Sequence, residues 1–325
     1  MMYLTLSMIH WYTCTGYIIC GASLLSTVCY AGIVYHYSSV HMHMFKQYLY
    51  HLAVVQITFS IANAAYLPMM IYPKHNIVSL GFLSSTNPVV FAIVGSVWLW
   101  MVFCYIDIGM NLFIQQCFQM ANGLHTIPVV FTSYLLPGMA ISNILAFVAT
   151  VVIIFESGND ISVILDELKS EYMEAGVFDF LATSSLRIIN FTPSVLAIGA
   201  SVYGFYAASR ISIFCIVVTL NYKYTYDERL PSITRKKNCT TFRIACAQMA
   251  SGMLFCGATL MASTALFVFD VNFENKVGIH MVVFLISYAA PIGVSLTTLL
   301  AVRPYRLAVF GWFKGVRLSF RKNYQ

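Results

Sequence analysis

Asp107 and Arg210 are two ionisable side chains that fall well inside long apolar runs of this chain. A carboxylate or guanidinium is costly in hydrocarbon, so such residues are functional candidates before anything else is known of them. One reading joins them as an ion pair between neighbouring helices, a latch that holds the bundle closed and breaks on activation. The other leaves Arg210 snorkelling to headgroups and Asp107 bonded to nearby amides or hydroxyls. A second set is polar or aromatic and lies in the middle or outer parts of the runs: Asn63, Tyr66, Trp98, Trp100, His280, Ser287 and Tyr288. Ligand sites in helix bundles are mostly apolar with a few placed polar groups, and this set has that composition. Aromatic packing or an interfacial belt is the plainer account of the same residues. Pro291 removes a backbone donor from the last run and is a kink candidate, as are Pro68 and Pro137.

Other chemistries find little support. His36, His41, His43 and His51 cluster around one connection without carboxylate partners, so neither a metal nor another cofactor is expected. With no nucleophile–base arrangement and no phosphate-cradling glycine loop, an enzyme is not expected either. None of the nine cysteines falls in segments 73–88, 155–191 or 270–278, and no disulfide is expected to tie those segments together. A retinal protein needs a lysine in its last helix for the Schiff base, but no lysine occurs between Lys276 and Lys314.

The elements that must position these residues follow from composition. The chain is 59% hydrophobic and 9% charged, and its charges fall almost wholly between the apolar runs. A bilayer core takes about 20 apolar residues per helix, which the runs exceed. The expectation is an all-α polytopic membrane protein, a single domain built as a seven-transmembrane helix bundle. The spans are expected at roughly 11–35, 49–72, 89–114, 128–154, 192–220, 244–269 and 279–302, with a tail from 303 to 325.

Lysine and arginine set the orientation. One face carries Lys46, then Lys223, Arg229, Arg235, Lys236, Lys237 and Arg243 in the fifth connection, then Arg303, Arg306, Lys314, Arg317, Arg321 and Lys322 in the tail. The other carries Lys74, Lys169, Arg187 and Lys276. The positive-inside rule therefore places the tail and the 222–243 connection in the cytoplasm and the N-terminus outside. The net charge of +6 then reads as facing lipid and a cytoplasmic partner, and no nucleic acid is expected. In the outer connection 155–191, Asp160 to Leu168 suit a short amphipathic helix over the bundle mouth, with a solvated loop as the alternative. Beyond Pro304, Val309, Trp312, Phe313, Val316 and Phe320 make one helical stripe. Arg306, Lys314, Arg317 and Arg321 occupy the neighbouring face, the pattern of a C-terminal interfacial amphipathic helix.

The last apolar run closes as Pro291-Ile292-Gly293-Val294-Ser295-Leu296-Thr297-Thr298-Leu299-Leu300-Ala301-Val302-Arg303-Pro304-Tyr305-Arg306. A proline-led, Ser/Thr-bearing helix ending on Pro-Tyr-Arg resembles the nematode serpentine chemoreceptors of the Str superfamily. The Phe45-Lys46-Gln47-Tyr48-Leu49 entry to the second run and the acidic connection ending near Phe180 look most like its Srd branch. The likeness covers the chain in length and topology, while its specific part is the last-helix ending. It implies a G-protein-coupled receptor for a small odorant or pheromone-like ligand, in the plasma membrane of chemosensory cilia. On that resemblance Pro291 is the last helix's kink, Pro304, Tyr305 and Arg306 make the turn into the interfacial helix, and the partner is a heterotrimeric G protein. The cationic face, with Arg235, Lys236, Lys237, Arg243, Arg303 and Arg306, suits docking of such a partner. The chain departs from the family at the inner end of the third run. Gln115-Gln116-Cys117-Phe118 stands where members often carry an aromatic-Arg-Tyr element. A ligand-gated channel or small-molecule transporter of similar topology is the rival expectation.

Overall fold

The computed structural model describes residues 4–38, 43–71, 76–83, 87–124, 129–160, 175–183, 186–190, 193–228, 231–268 and 276–313. Its long elements are α1 Leu6–Tyr37, α2 His43–Tyr66, α3 Pro88–Leu124 and α4 Val129–Ser157. A short α5 Ala175–Thr183 and a long α6 Pro193–Thr225 follow. The next helix runs as α7 Ser232–Gly252, a π-turn Met253–Gly257 and α8 Ala258–Val268. The last membrane-length run is α9 Lys276–Tyr288 and α10 Ala290–Ala301, and α11 Arg303–Phe313 ends the described chain.

Five described helical stretches are long and apolar enough to cross a membrane: Leu6–Tyr37, Pro88–Asn111, Pro137–Ser157, Ala197–Thr225 and Lys276–Ala301. In hydrocarbon every backbone amide must be satisfied within its own segment, so apolar runs of this length fold as helices. The chain is thus a multi-pass helical membrane protein. Large apolar side chains such as Ile18, Leu25, Ile144, Phe205 and Met261 point outward from these helices, as lipid-facing positions do. Beside the five pack α2, against α1 and α3, and α7, against α3 and α10.

One end of the bundle carries a feature the apolar pattern did not predict, a four-stranded antiparallel sheet. Strands β1 Pro68–Ile71, β2 Asn76–Ser79, β3 Gly158–Asp160 and β4 Arg187–Asn190 lie in the order β1-β2-β4-β3. Met69 faces Val78 and Ile77 faces Ile189 across the ladders. The expected second span, 49–72, is corrected here. Its helix stops at Tyr66, because Pro68 has no N–H to continue the ladder and disfavours helical backbone in the residue before it. Leu67 turns the chain at φ 39°, and the residues after it enter the sheet. Pro68 therefore opens a strand and kinks no helix, whereas Pro137 does lie inside α4.

Other boundaries move as well. Helix α3 continues to Leu124, ten residues beyond the expected end at 114. The cationic 222–243 connection is largely helix, since α7 begins at Ser232. The amphipathic segment foreseen at 160–168 lies almost wholly outside the described residues, as do Val316 and Phe320 of the tail stripe. Within that stripe Val309 packs inward, and Tyr305 and Ala308 are buried. The exposed face of α11 carries Arg303, Arg306, Leu307 and Phe310.

The last run breaks where proline requires it. Ala289 separates α9 from α10, and Pro291 sits in the first turn of α10. The Tyr288 carbonyl at this break accepts a hydrogen bond from Ser23 Oγ on α1 at 2.8 Å, so the kink is pinned to a neighbouring helix.

Candidate functional site

Asp107 on α3 and Arg210 on α6 meet in a bidentate ion pair. Arg210 Nε donates to Asp107 Oδ1 at 2.6 Å, and Nη2 donates to Oδ2 at 3.0 Å. The side chains are 17% and 5% exposed respectively. Helix α4 completes the arrangement. Asn143 Nδ2 donates to Asp107 Oδ2 at 2.7 Å, and the Met139 carbonyl accepts from Arg210 Nη2 at 2.9 Å. Trp100 Nε1 donates to Asn143 Oδ1, and the Tyr206 ring lies against the guanidinium carbon at 4.3 Å. The carboxylate thus accepts three hydrogen bonds and the guanidinium is capped by an aromatic face, a geometry in which both charges are tolerated away from water. Three helices are held through one charge pair.

A second assembly sits beneath the sheet. Trp98 Nε1 donates to Asn63 Oδ1 at 2.7 Å. The Trp98 ring stacks on Tyr66 with centroids 5.4 Å apart and meets Phe284 edge-on at 6.3 Å. Phe91 tilts against the same Tyr66 ring at 5.6 Å, and His280 lies 6.3 Å from Phe284. Tyr12 and Tyr288 share a hydroxyl contact of 2.8 Å, and Tyr12 donates its proton to the Pro68 carbonyl at 2.6 Å. With that proton committed, Tyr288 is the donor within the pair. Helices α1, α2, α3 and α9 and strand β1 converge here. Two polar atoms of the assembly, Asn63 Nδ2 and the Tyr66 hydroxyl oxygen, are buried without a hydrogen-bond partner among the described residues.

A third group links the bundle nearer its sheet-free end. Gln56 Nε2 donates to the Tyr105 hydroxyl at 3.3 Å, and Ser295 Oγ donates to Gln56 Oε1 at 3.2 Å. Gln248 Nε2 donates to Thr298 Oγ1 at 2.7 Å. At that end of the bundle Arg235, Lys236, Arg243, Arg303 and Arg306 are exposed, while the Lys237 side chain lies outside the description.

The structure gathers Asn63, Tyr66, Trp98, His280 and Tyr288 into one neighbourhood. It separates two further members of the sequence grouping. Trp100 belongs to the ion-pair network, because its indole N–H points to α4. Ser287 Oγ bonds its own helix at the Phe284 carbonyl, 2.7 Å away. Asn143, Tyr206, Gln56, Gln248 and Tyr12 were missed. Their signal was available for Asn143, Gln56 and Gln248, amide side chains inside apolar runs, which must find partners when buried. No family model matches the chain, and no curated protein matches it.

Proposed function

We propose that this chain is a seven-helix chemosensory receptor, with α2 and the α7–α8 helix adding two crossings to the five above. On this reading its N-terminus and sheet face outside, and the cationic end faces the cytoplasm. It binds a small, largely apolar ligand at the Asn63–Tyr66–Trp98 assembly and signals to a heterotrimeric G protein. Arg235, Lys236, Lys237, Arg243, Arg303 and Arg306 supply the docking charge.

The observation that carries the reading is the Asp107–Arg210 network. A charge pair bridging three helices is a two-state contact: made, it fixes α3, α4 and α6 together, and broken, it frees them. A ligand acts by favouring one arrangement over the other. The buried Asn63 amide and Tyr66 hydroxyl support a ligand that is apolar in bulk with one acceptor oxygen such as a carbonyl, since both groups have a proton to donate.

Second-messenger and current recording of the expressed chain against small volatile compounds tests this. The expected result is a compound-dependent nucleotide or calcium signal that disappears when Arg235, Lys236 and Lys237 are neutralised with surface expression intact. Ligand-dependent current that survives those changes, without G-protein involvement, selects the channel instead. Asp107→Asn is expected to raise ligand-independent signalling; unchanged basal output at unchanged surface expression removes the latch.

A further inference from the structure

The π-turn Met253–Gly257 interrupts the helix formed by α7 and α8. Here the hydrogen bond widens, with the Ala258 N–H reaching back to the Met253 carbonyl. Such turns insert one residue and loosen the ladder locally, and water often enters there. The turn is seated against α10, where a Cβ at Gly293 would overlap the Phe255 ring. On its other flank lies a cavity of about 30 Å³ lined by Tyr105, Gly109, Gln248, Met249, Gly252 and Met253, among others.

The volume and the lining of the cavity identify its occupant. A water needs about 10–15 Å³ of such space, so the volume suits one or two water molecules and excludes an organic ligand. Gln248 is 4% exposed. Its Nε2 is committed to Thr298, but its Oε1 has no hydrogen-bond partner among the described residues. The lining also includes Tyr105, whose hydroxyl is 3.3 Å from Gln56 Nε2 and 3.4 Å from the Ala290 carbonyl. A metal cation has no carboxylate among the lining residues. Asp107, next in sequence to Ile106 of the lining, is engaged by Arg210 and Asn143.

We propose that this cavity is an internal hydration site, in which one or two water molecules bound by Gln248 Oε1 and the Tyr105 hydroxyl support the π-turn. The water replaces the hydrogen bonding that the widened ladder gives up, and it leaves the turn deformable where an apolar filling would stiffen it. If the chain is the receptor proposed above, this is where the helix from Ser232 to Val268 changes its bend. The hydration site itself does not depend on that role.

X-ray radiolytic labelling of the full chain in lipid nanodiscs, read by mass spectrometry, tests the site without any ligand. Side chains beside bound water oxidise faster than dry ones, and Met249 lies in the lining. Met249 is half-buried, whereas Met69 in β1 and Met281 beneath the sheet are fully buried, so these two set the baseline and the variants below separate bound water from outside access. Met249 is expected to label at least several-fold faster than both. Gln248→Leu removes the water's acceptor. Gly109→Ala adds a methyl group to the lining and displaces Met249, whose sulfur its Cβ would meet at 2.5 Å, so the space for water is lost. Each is expected to bring Met249 down to the reference rate, and the second keeps the Gln248–Thr298 bond should the first destabilise the fold. Met249 labelling no faster than Met281 in the native chain shows a dry cavity and overturns the proposal. Fast labelling that persists in both variants means water reaches Met249 from outside, which also overturns it. Labelling that changes between sodium and choline chloride identifies a cation in place of water, a third result against it.

Discussion

The ion-pair network and the aromatic assembly beneath the sheet solve the same problem by opposite means. Each joins helices through polar groups held away from water. At Asp107 and Arg210 the groups are charged and their bonds are short and mutually fixed. At Asn63 and Tyr66 they are neutral, the joining is done by stacked rings, and two polar atoms are left unpartnered. An uncompensated charge in a low-dielectric interior costs more than any arrangement of partners can ignore, so the first network must be complete. A neutral amide or phenol without a partner costs about 1–3 kcal/mol, an amount a well-packed core carries. The contrast separates a contact built to hold from one with capacity to accept something more.

The largest expected effect comes from breaking the charged side asymmetrically. Arg210→Leu leaves Asp107 buried beside Asn143 with no cation, and is expected to cost about 3–5 kcal/mol. Thermal unfolding in detergent measures it. Adding Asp107→Leu is expected to recover most of the loss, because the pair contributes through its geometry while its desolvation cost disappears with it. If the double variant is no more stable than the single one, the penalty came from lost packing against Tyr206 and not from stranded charge.

On the aromatic side, Trp98→Phe keeps most of the ring area but removes the donor to Asn63. The amide then has neither of its polar ends satisfied within the cluster, and a loss of about 1–3 kcal/mol is expected. Asn63→Leu in the same background should restore stability. A double variant no better than Trp98→Phe alone would mean that the indole's shape, not its hydrogen bond, holds the assembly.

How far these two regions could be read from sequence differs for the same physical reason. Two charges inside apolar runs announce themselves, and helices α3 and α6 being neighbours sufficed to bring Asp107 to Arg210. The third partner, Asn143, carries no charge, and its signal was the weaker one of an amide inside the apolar run of α4. Apolar periodicity likewise located the helices but not the sheet. A four-residue strand such as Asn76–Ser79 is too short for alternation to show, and Met69–Ile71 simply extends the hydropathy of α2. Only the proline at 68 and the β-branched pairs Ile77-Val78 and Ile188-Ile189 mark the change of structure. The π-turn left no legible mark at all, since inserting one residue into an apolar helix disturbs no pattern that its lipid face would display.

A smaller effect probes the sheet-free end. Tyr305 is buried, and its hydroxyl meets Ser38 Oγ at 2.7 Å, tying α11 to the end of α1. Burial holds this phenol above its ordinary range, against the opposing pull of the Ser38 bond, so it stays protonated at physiological pH. Tyr305→Phe keeps the ring and loses the bond, for about 1 kcal/mol. Hydrogen exchange over 303–313 should rise while exchange beneath the sheet stays unchanged. Unchanged exchange in both places would show that α11 is held by apolar contact alone.

The smallest effect on stability is the most informative about the contrast. Tyr66 stacks between Trp98 and Phe91, and its ring carries the packing while its hydroxyl bonds nothing described. Tyr66→Phe removes a buried oxygen with no compensating bond to lose, so the unfolding temperature is expected to hold steady or rise. Nothing comparable is open to the charged network, where every polar atom named is committed. If the chain is the receptor proposed above, the same substitution is expected to weaken the response to compounds with an acceptor oxygen about tenfold, equivalent to roughly 1.4 kcal/mol. Stability and response then move independently, as they must if the hydroxyl is held in reserve for a ligand. A fall in unfolding temperature of several degrees would place Tyr66 with Asp107, among the groups whose bonding is already complete. An unchanged response at unchanged stability would leave the hydroxyl without a ligand and shift the search for the polar anchor to Asn63.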